Sequence, residues 1–189
     1  MKTAYLSILT MAWLVAASSA HAFMWDEPSD GDLSGIVGAP TVLGPLALGP
    51  NTVGGTAGAG DFDLFTFDVL PGDLVTGIIV DLWAGPTGSS FLAIAPGPVW
   101  PTGLGFSVAS GPLLGFSLFG AAAIGTDILP ATGIPALGAG TYTILVQDTG
   151  ATHDYGLTFV GSPVPVPAAL PLLISALGAL GAARLGRQR

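Results

Sequence analysis

The stretch Asp61-Phe62-Asp63-Leu64-Phe65-Thr66-Phe67-Asp68-Val69, closed by Pro71-Gly72-Asp73, decides the fold class. Phe65, Phe67 and Val69 recur at every second position and share one face, while Thr66 and Asp68 share the other. An apolar face backed by a polar one is the pattern of a strand buried on one side. Proline and glycine then turn the chain.

The same alternation recurs on the C-terminal side. Leu74 to Trp83 is apolar on both faces and predicts a central strand. Thr141 to Gln147 places Tyr142, Ile144 and Val146 inward, and Tyr155, Leu157 and Phe159 form a last alternating strand. Leu104-Gly105-Phe106-Ser107-Val108 is echoed by Leu114-Gly115-Phe116-Ser117-Leu118, which predicts two matched strands around Ser110-Gly111-Pro112. Residues 85–103, crowded with proline and glycine, predict loop with room for one edge strand. Residues 25–35, with four carboxylates around Pro28 and Gly31, predict an acidic loop rather than a helix. Residues 36–162 lack helical periodicity, and 29 glycines and 16 prolines oppose helices. Short strands divided by turns predict an antiparallel sandwich or barrel. Residues 23–162 are one domain's worth of chain.

Charge narrows the function. All twelve acidic residues lie in residues 23–162, and all four basic ones, Lys2, Arg184, Arg187 and Arg189, lie outside it. That body therefore has no Lys or Arg with which to displace counterions from phosphates, which excludes nucleic acid as a partner. Arginine clamps on phosphate or carboxylate are excluded for the same reason. The chain has no cysteine, so the domain must be stable without disulfides.

The ends read as targeting signals. Lys2, the apolar run Leu6 to Ala17, and Ala20-His21-Ala22 have the order of a signal peptide over residues 1–22, with Phe23 as the mature N-terminus. Residues 163–189 run Pro163-Val164-Pro165-Val166-Pro167-Ala168, then uncharged to Ala183, then Arg184, Arg187 and Arg189. As a helix, the uncharged run spans about 24 Å against a hydrocarbon core of about 30 Å. The arginines would keep the tip cytoplasmic and leave the body outside. A plain membrane anchor is the alternative reading of this tail.

This tail resembles the PEP-CTERM class of bacterial sorting signals in its Val-Pro-Leu-Pro-Ala (VPLPA) variant, with Val164, Pro165, Val166, Pro167 and Ala168 as the motif and Val166 in place of leucine. The resemblance implies recognition by an exosortase-type protease, transient anchoring in the inner membrane, and release to the cell surface or extracellular matrix. It also implies a structural or adhesive role among exopolysaccharides. The body resembles the bacterial pre-peptidase C-terminal domain, through Glu27-Pro28, the Asp61–Val69 strand with Pro71-Gly72, Gly140-Thr141-Tyr142-Thr143-Ile144-Leu145-Val146, and Tyr155-Gly156-Leu157. Ser29 stands where that family has asparagine. The resemblance implies a jelly-roll β-sandwich whose acidic lead can bind calcium.

The residues themselves offer little for catalysis. A triad would need His153 with Asp148 or Asp154 and a serine such as Ser107, yet His153 sits in a polar turn and reads as a solvated loop histidine. One histidine without cysteine also makes a poor zinc site. We therefore expect no enzyme. Calcium needs only oxygen ligands. Asp26, Glu27, Asp30 and Asp32 from the lead and Asp61 and Asp63 from the strand start could supply them; solvated acidic loops are the competing reading. No other cofactor is expected. A second functional reading is a secreted carbohydrate-binding module, calcium-dependent or not, using Trp83, Trp100 or Tyr155 as sugar platforms.

Overall fold

The computed structural model describes residues 21–101, 113–148 and 150–165. It is all-β: nine strands form two sheets, with one α-helical turn and two short 3-10 turns among the described residues. The strands are β1 (Met24–Asp26), β2 (Thr41–Pro45), β3 (Gly49–Ala57), β4 (Phe62–Val69), β5 (Asp73–Ala84), β6 (Ser90–Pro96), β7 (Gly115–Phe119), β8 (Gly140–Gln147) and β9 (His153–Pro163). The sheets are ordered β1-β3-β9-β5 and β2-β4-β8-β6-β7. Most pairs are antiparallel, as expected, but the two short strands β1 and β2 pair in parallel with β3 and β4.

The alternation of β4 is obeyed on its inner face. Phe65, Phe67 and Val69 enter a core with Ile144, Val146, Leu157 and Phe159. Phe65 meets Phe159 edge-on at 5.9 Å, and Phe67 meets it at 5.1 Å between ring centroids, geometries that favour aromatic pairs. The outer face of β4 departs from the expectation of exposure. Leu64 is buried with Ala93, Ala95, Trp100 and Leu145 in a second small core, and Thr66 donates to the Tyr142 carbonyl. The second core covers the outside of this sheet.

Three more expectations need correction. The stretch Leu74 to Trp83 lies in β5, at a sheet edge rather than the centre. Residues 124–137 pair with that edge through bridges Val75–Leu137, Ile79–Asp127 and Val80–Ile124, and one face of β5 is partly open, with Thr76, Asp81 and Leu82 exposed. Residues 90–96 form an interior strand, β6, paired with β7 and β8. The acidic lead contains a strand and a helical turn, α1 (Glu27–Asp30), with Pro28 in its first turn, where a missing N–H costs little. Leu114 to Leu118 falls on the expected strand, β7; its matched partner, residues 104–108, lies outside the described residues.

Asn51 organises the turn between β2 and β3. Its side chain is fully buried, accepts from the Phe23 and Ala47 amides, and donates to the carbonyls of Ala47, Gly49 and Phe159. Each of its polar atoms is paired, so burial carries no orphan penalty.

Candidate metal centre

β4 follows the hairpin at Gly58–Asp61 and begins with its first inward position occupied by Asp63 instead of an apolar residue. The parity that sends Phe65 and Phe67 into the core therefore sends a carboxylate into the rim of the sandwich. Asp63 is 0% exposed, and among the described residues neither of its oxygens has a well-formed hydrogen bond, the Tyr155 hydroxyl being its one loose neighbour. The buried Tyr155 hydroxyl, on β9, is likewise without a well-formed hydrogen bond.

α1 brings Glu27 to the same place. Its carboxylate is held by the Leu33 amide at 2.9 Å, the Thr56 amide at 2.7 Å and the Thr56 hydroxyl at 3.1 Å. Leu33, buried in the main core, pins the loop that carries Asp32. Gly55 makes the approach possible: a Cβ there would lie 2.9 Å from Glu27 Cδ and 3.0 Å from the Tyr155 hydroxyl.

Oxygens of Glu27, Asp32 and Asp63 all lie within 4.8 Å of one another. Two ligands across a calcium ion at about 2.4 Å each stand about 4.8 Å apart, so the set fits a hard cation. Electrostatics point the same way. Burial, and then the charges of Glu27, Asp61 and Asp32, push the Asp63 carboxyl up to about 8, with the Tyr155 hydroxyl partly offsetting the shift. Burial and the charge of Asp32 raise the Asp61 carboxyl. Burial, reinforced by Asp63, raises the Tyr155 phenol well above its ordinary value. Three carboxylates facing a buried fourth is an arrangement that a divalent ion would relieve.

The six sequence-derived acidic residues therefore divide. Glu27, Asp32 and Asp63 converge, and Asp61 stands close enough to be perturbed. Asp26 and Asp30 serve the helical turn instead: Asp30 accepts from the Asp26 amide at 2.8 Å, and Asp26 accepts from the Ser29 hydroxyl at 3.1 Å. Tyr155 and Gly55 were missed as site residues. The aromatic alternation of β9 and the glycine pair Gly54-Gly55 were the available signals.

His153 is not a solvated loop histidine. It is 2% exposed, stacks on Trp83 at 4.3 Å, and sits 2.7 Å from Asp148 through Nδ1 and 2.8 Å from the Pro86 carbonyl through Nε2. Both ring nitrogens are engaged, so neither is presented to a substrate. Trp83, Trp100 and Tyr155 are 7%, 2% and 1% exposed, which removes them as sugar platforms. Ser107 lies outside the described residues, as do Ala20, Val166, Pro167, Ala168, Arg184, Arg187 and Arg189. Ala22, Val164 and Pro165 are exposed. No helix among the described residues is long and apolar enough to cross a membrane.

The molecule is thus an all-β sandwich with a cluster of carboxylates at the start of β4. No family model matches the chain, and no curated protein matches it. Among solved structures it is similar to the pre-peptidase C-terminal domain of a collagenase from Bacillus anthracis, at 13% identity and a TM-score of 0.35, over 65% of this chain and 93% of that one.

Proposed function

We propose that this is an exported, non-catalytic β-sandwich whose acidic lead is fastened to the body by a calcium ion held by Glu27, Asp32 and Asp63. The observation that carries this reading is the fully buried Asp63 carboxyl, without a well-formed hydrogen bond on either oxygen and facing two further carboxylates. An isolated buried carboxylate is costly unless neutralised or bound to a metal. When bound, the ion supplies positive charge that clamps the lead; Glu27 is already oriented for it by three donors. In the same reading the tail is processed by an exosortase-type protease after transient inner-membrane anchoring, and the body serves structurally or adhesively among exopolysaccharides at the cell surface or in the matrix. The motif, apolar run and arginines in that order support it.

Thermal unfolding of the full-length chain in EDTA, in calcium, and in NaCl of equal ionic strength tests the cation. A ligand that binds only the folded state, at 100 times its dissociation constant, adds about 2.7 kcal/mol. Calcium should stabilise beyond the salt control, and Asp63→Asn should abolish the excess. A calcium shift equal to the salt shift removes the site.

A further inference from the structure

On the outer face of the four-stranded sheet, next to the cation site, the register places Asp26 of β1 beside Gly54 of β3, Gly54 beside Gly156 of β9, and Gly156 beside Leu82 of β5. Gly54 leaves a gap in this face, while the Leu82 side chain leans over Gly156, 3.1 Å from where a Cβ would stand there. The result is a trough of about 560 Å³ crossing the strands, and four strands at about 4.8 Å spacing give it a length near 14 Å.

Gly54 is not required by its own fold. Its φ is not positive, and an added Cβ would meet nothing nearer than 3.6 Å. A glycine inside a strand weakens it, and commonly marks a place where another molecule or backbone approaches closely. The space above Gly54 is therefore open to an outside molecule.

The rim defines the ligand's chemistry. Asp26, Asp81 and Asp154 all line the trough, and the described residues include no Lys or Arg. A ligand must bring hydrogen-bond donors and no negative charge. Met24, 79% exposed, and Leu82, 46% exposed, offer apolar contact beside these acceptors. The carboxylates are spread around the trough rather than converging, and Asp81 is engaged by the Thr158 hydroxyl. Dispersed, exposed carboxylates hold a point cation weakly, but they suit a chain of rings carrying many hydroxyls.

We propose that this trough binds a neutral polysaccharide chain, laid across the strands with a ring face over Gly54, apolar ring edges against Leu82 and hydroxyls donating to Asp26 and Asp154. The trough borders the cation centre through Gly55, Thr56 and Tyr155 but uses no oxygen of Glu27, Asp32 or Asp63; it rests on the exopolysaccharide role proposed above and not on the calcium ion.

The test is affinity electrophoresis and calorimetry of the full-length chain in mild detergent. The probes are a soluble β-glucan, a mannan and a galactan, with alginate and polylysine as charged controls. At least one neutral polymer should bind and alginate should not. Gly54→Val, whose Cβ would meet nothing nearer than 3.6 Å and whose methyls would enter the trough, should weaken that binding by about tenfold or more with the unfolding temperature preserved. Asp154→Asn, on an exposed side chain, should weaken it too. Binding to none of the neutral polymers, binding unchanged in Gly54→Val, or binding to polylysine alone would each overturn the proposal.

Discussion

The His153 imidazole lies 2.7 Å from the Asp148 carboxylate, with both side chains buried and the ring stacked on Trp83. This contact joins the end of β8 to the start of β9 and, through the Pro86 carbonyl, to the loop after β5. Asp148→Ala should destabilise the chain by about 3 kcal/mol, the scale for a buried polar pair stripped of one partner. Urea unfolding measures it. A loss near zero would mean that the pair contributes no net stability.

Asp63 predicts the pH dependence of the cation-free protein. Its folded pKa, about 8, lies above its ordinary 3.8, so the native state holds the proton more tightly than the unfolded chain does. The associated stability is complete below about pH 4 and is lost as pH rises through about 8, with a total on the order of 5 kcal/mol. Urea unfolding in EDTA from pH 5 to 9 should show falling stability, and Asp63→Asn should flatten the slope. Identical slopes would assign the effect to the general repulsion among the carboxylates.

Gly54 and Gly55 are neighbours with opposite surroundings. Gly55→Ala places a methyl 2.9 Å from Glu27 Cδ, and should cost about 1–3 kcal/mol by overpacking and erase the calcium-specific thermal shift. Gly54→Ala should retain that shift. Equal behaviour of the two would dissociate Glu27 from cation binding.

Phe67→Ala should cost about 3–5 kcal/mol, because Phe67 sits among Phe23, Tyr142 and Phe159. Asp68→Asn, half-buried and able to keep an acceptor for the Thr141 hydroxyl, should change stability by about 0.5 kcal/mol or less. Comparable losses in the two would reverse the assignment of strand faces.

The tail reading is tested by intact mass. In a host with the sorting protease, the surface-extracted protein should end near Pro167. A mass that includes Arg184 to Arg189 would favour a retained anchor.

Legibility in the sequence followed side-chain contrast. β4, β8 and β9 alternate aromatic or branched residues with polar ones, and their inner faces were readable. β3, Gly-Pro-Asn-Thr-Val-Gly-Gly-Thr-Ala, was not: its glycines mimic a loop, and only the fold shows Asn51 pairing every polar atom beneath it. β6 hid among prolines and glycines for the same reason. The edge position of β5 was invisible because residues 124–137, without regular periodicity, cover it.

The acidic site was half legible. The i, i+2 spacing of Asp61 and Asp63 marked the strand start, and the parity of Phe65 and Phe67 already implied that Asp63 points inward. That Glu27 would reach it while Asp26 and Asp30 turned back into their own helical turn depends on the direction in which α1 leaves β1. Composition carries no record of that direction.

β9 is flanked along its length by β3 on one side and β5 on the other, both antiparallel, and the Val164 amide still bonds the Gly72 carbonyl as the chain leaves the sandwich. A pull applied at Val164 is therefore directed along the strand. It loads two ladders in shear, so their bonds must yield together rather than peel apart one at a time. A domain tethered through its C-terminal end would meet mechanical load at its best-braced strand, while the short parallel strand β1, at the far edge of the same sheet, carries none of it directly.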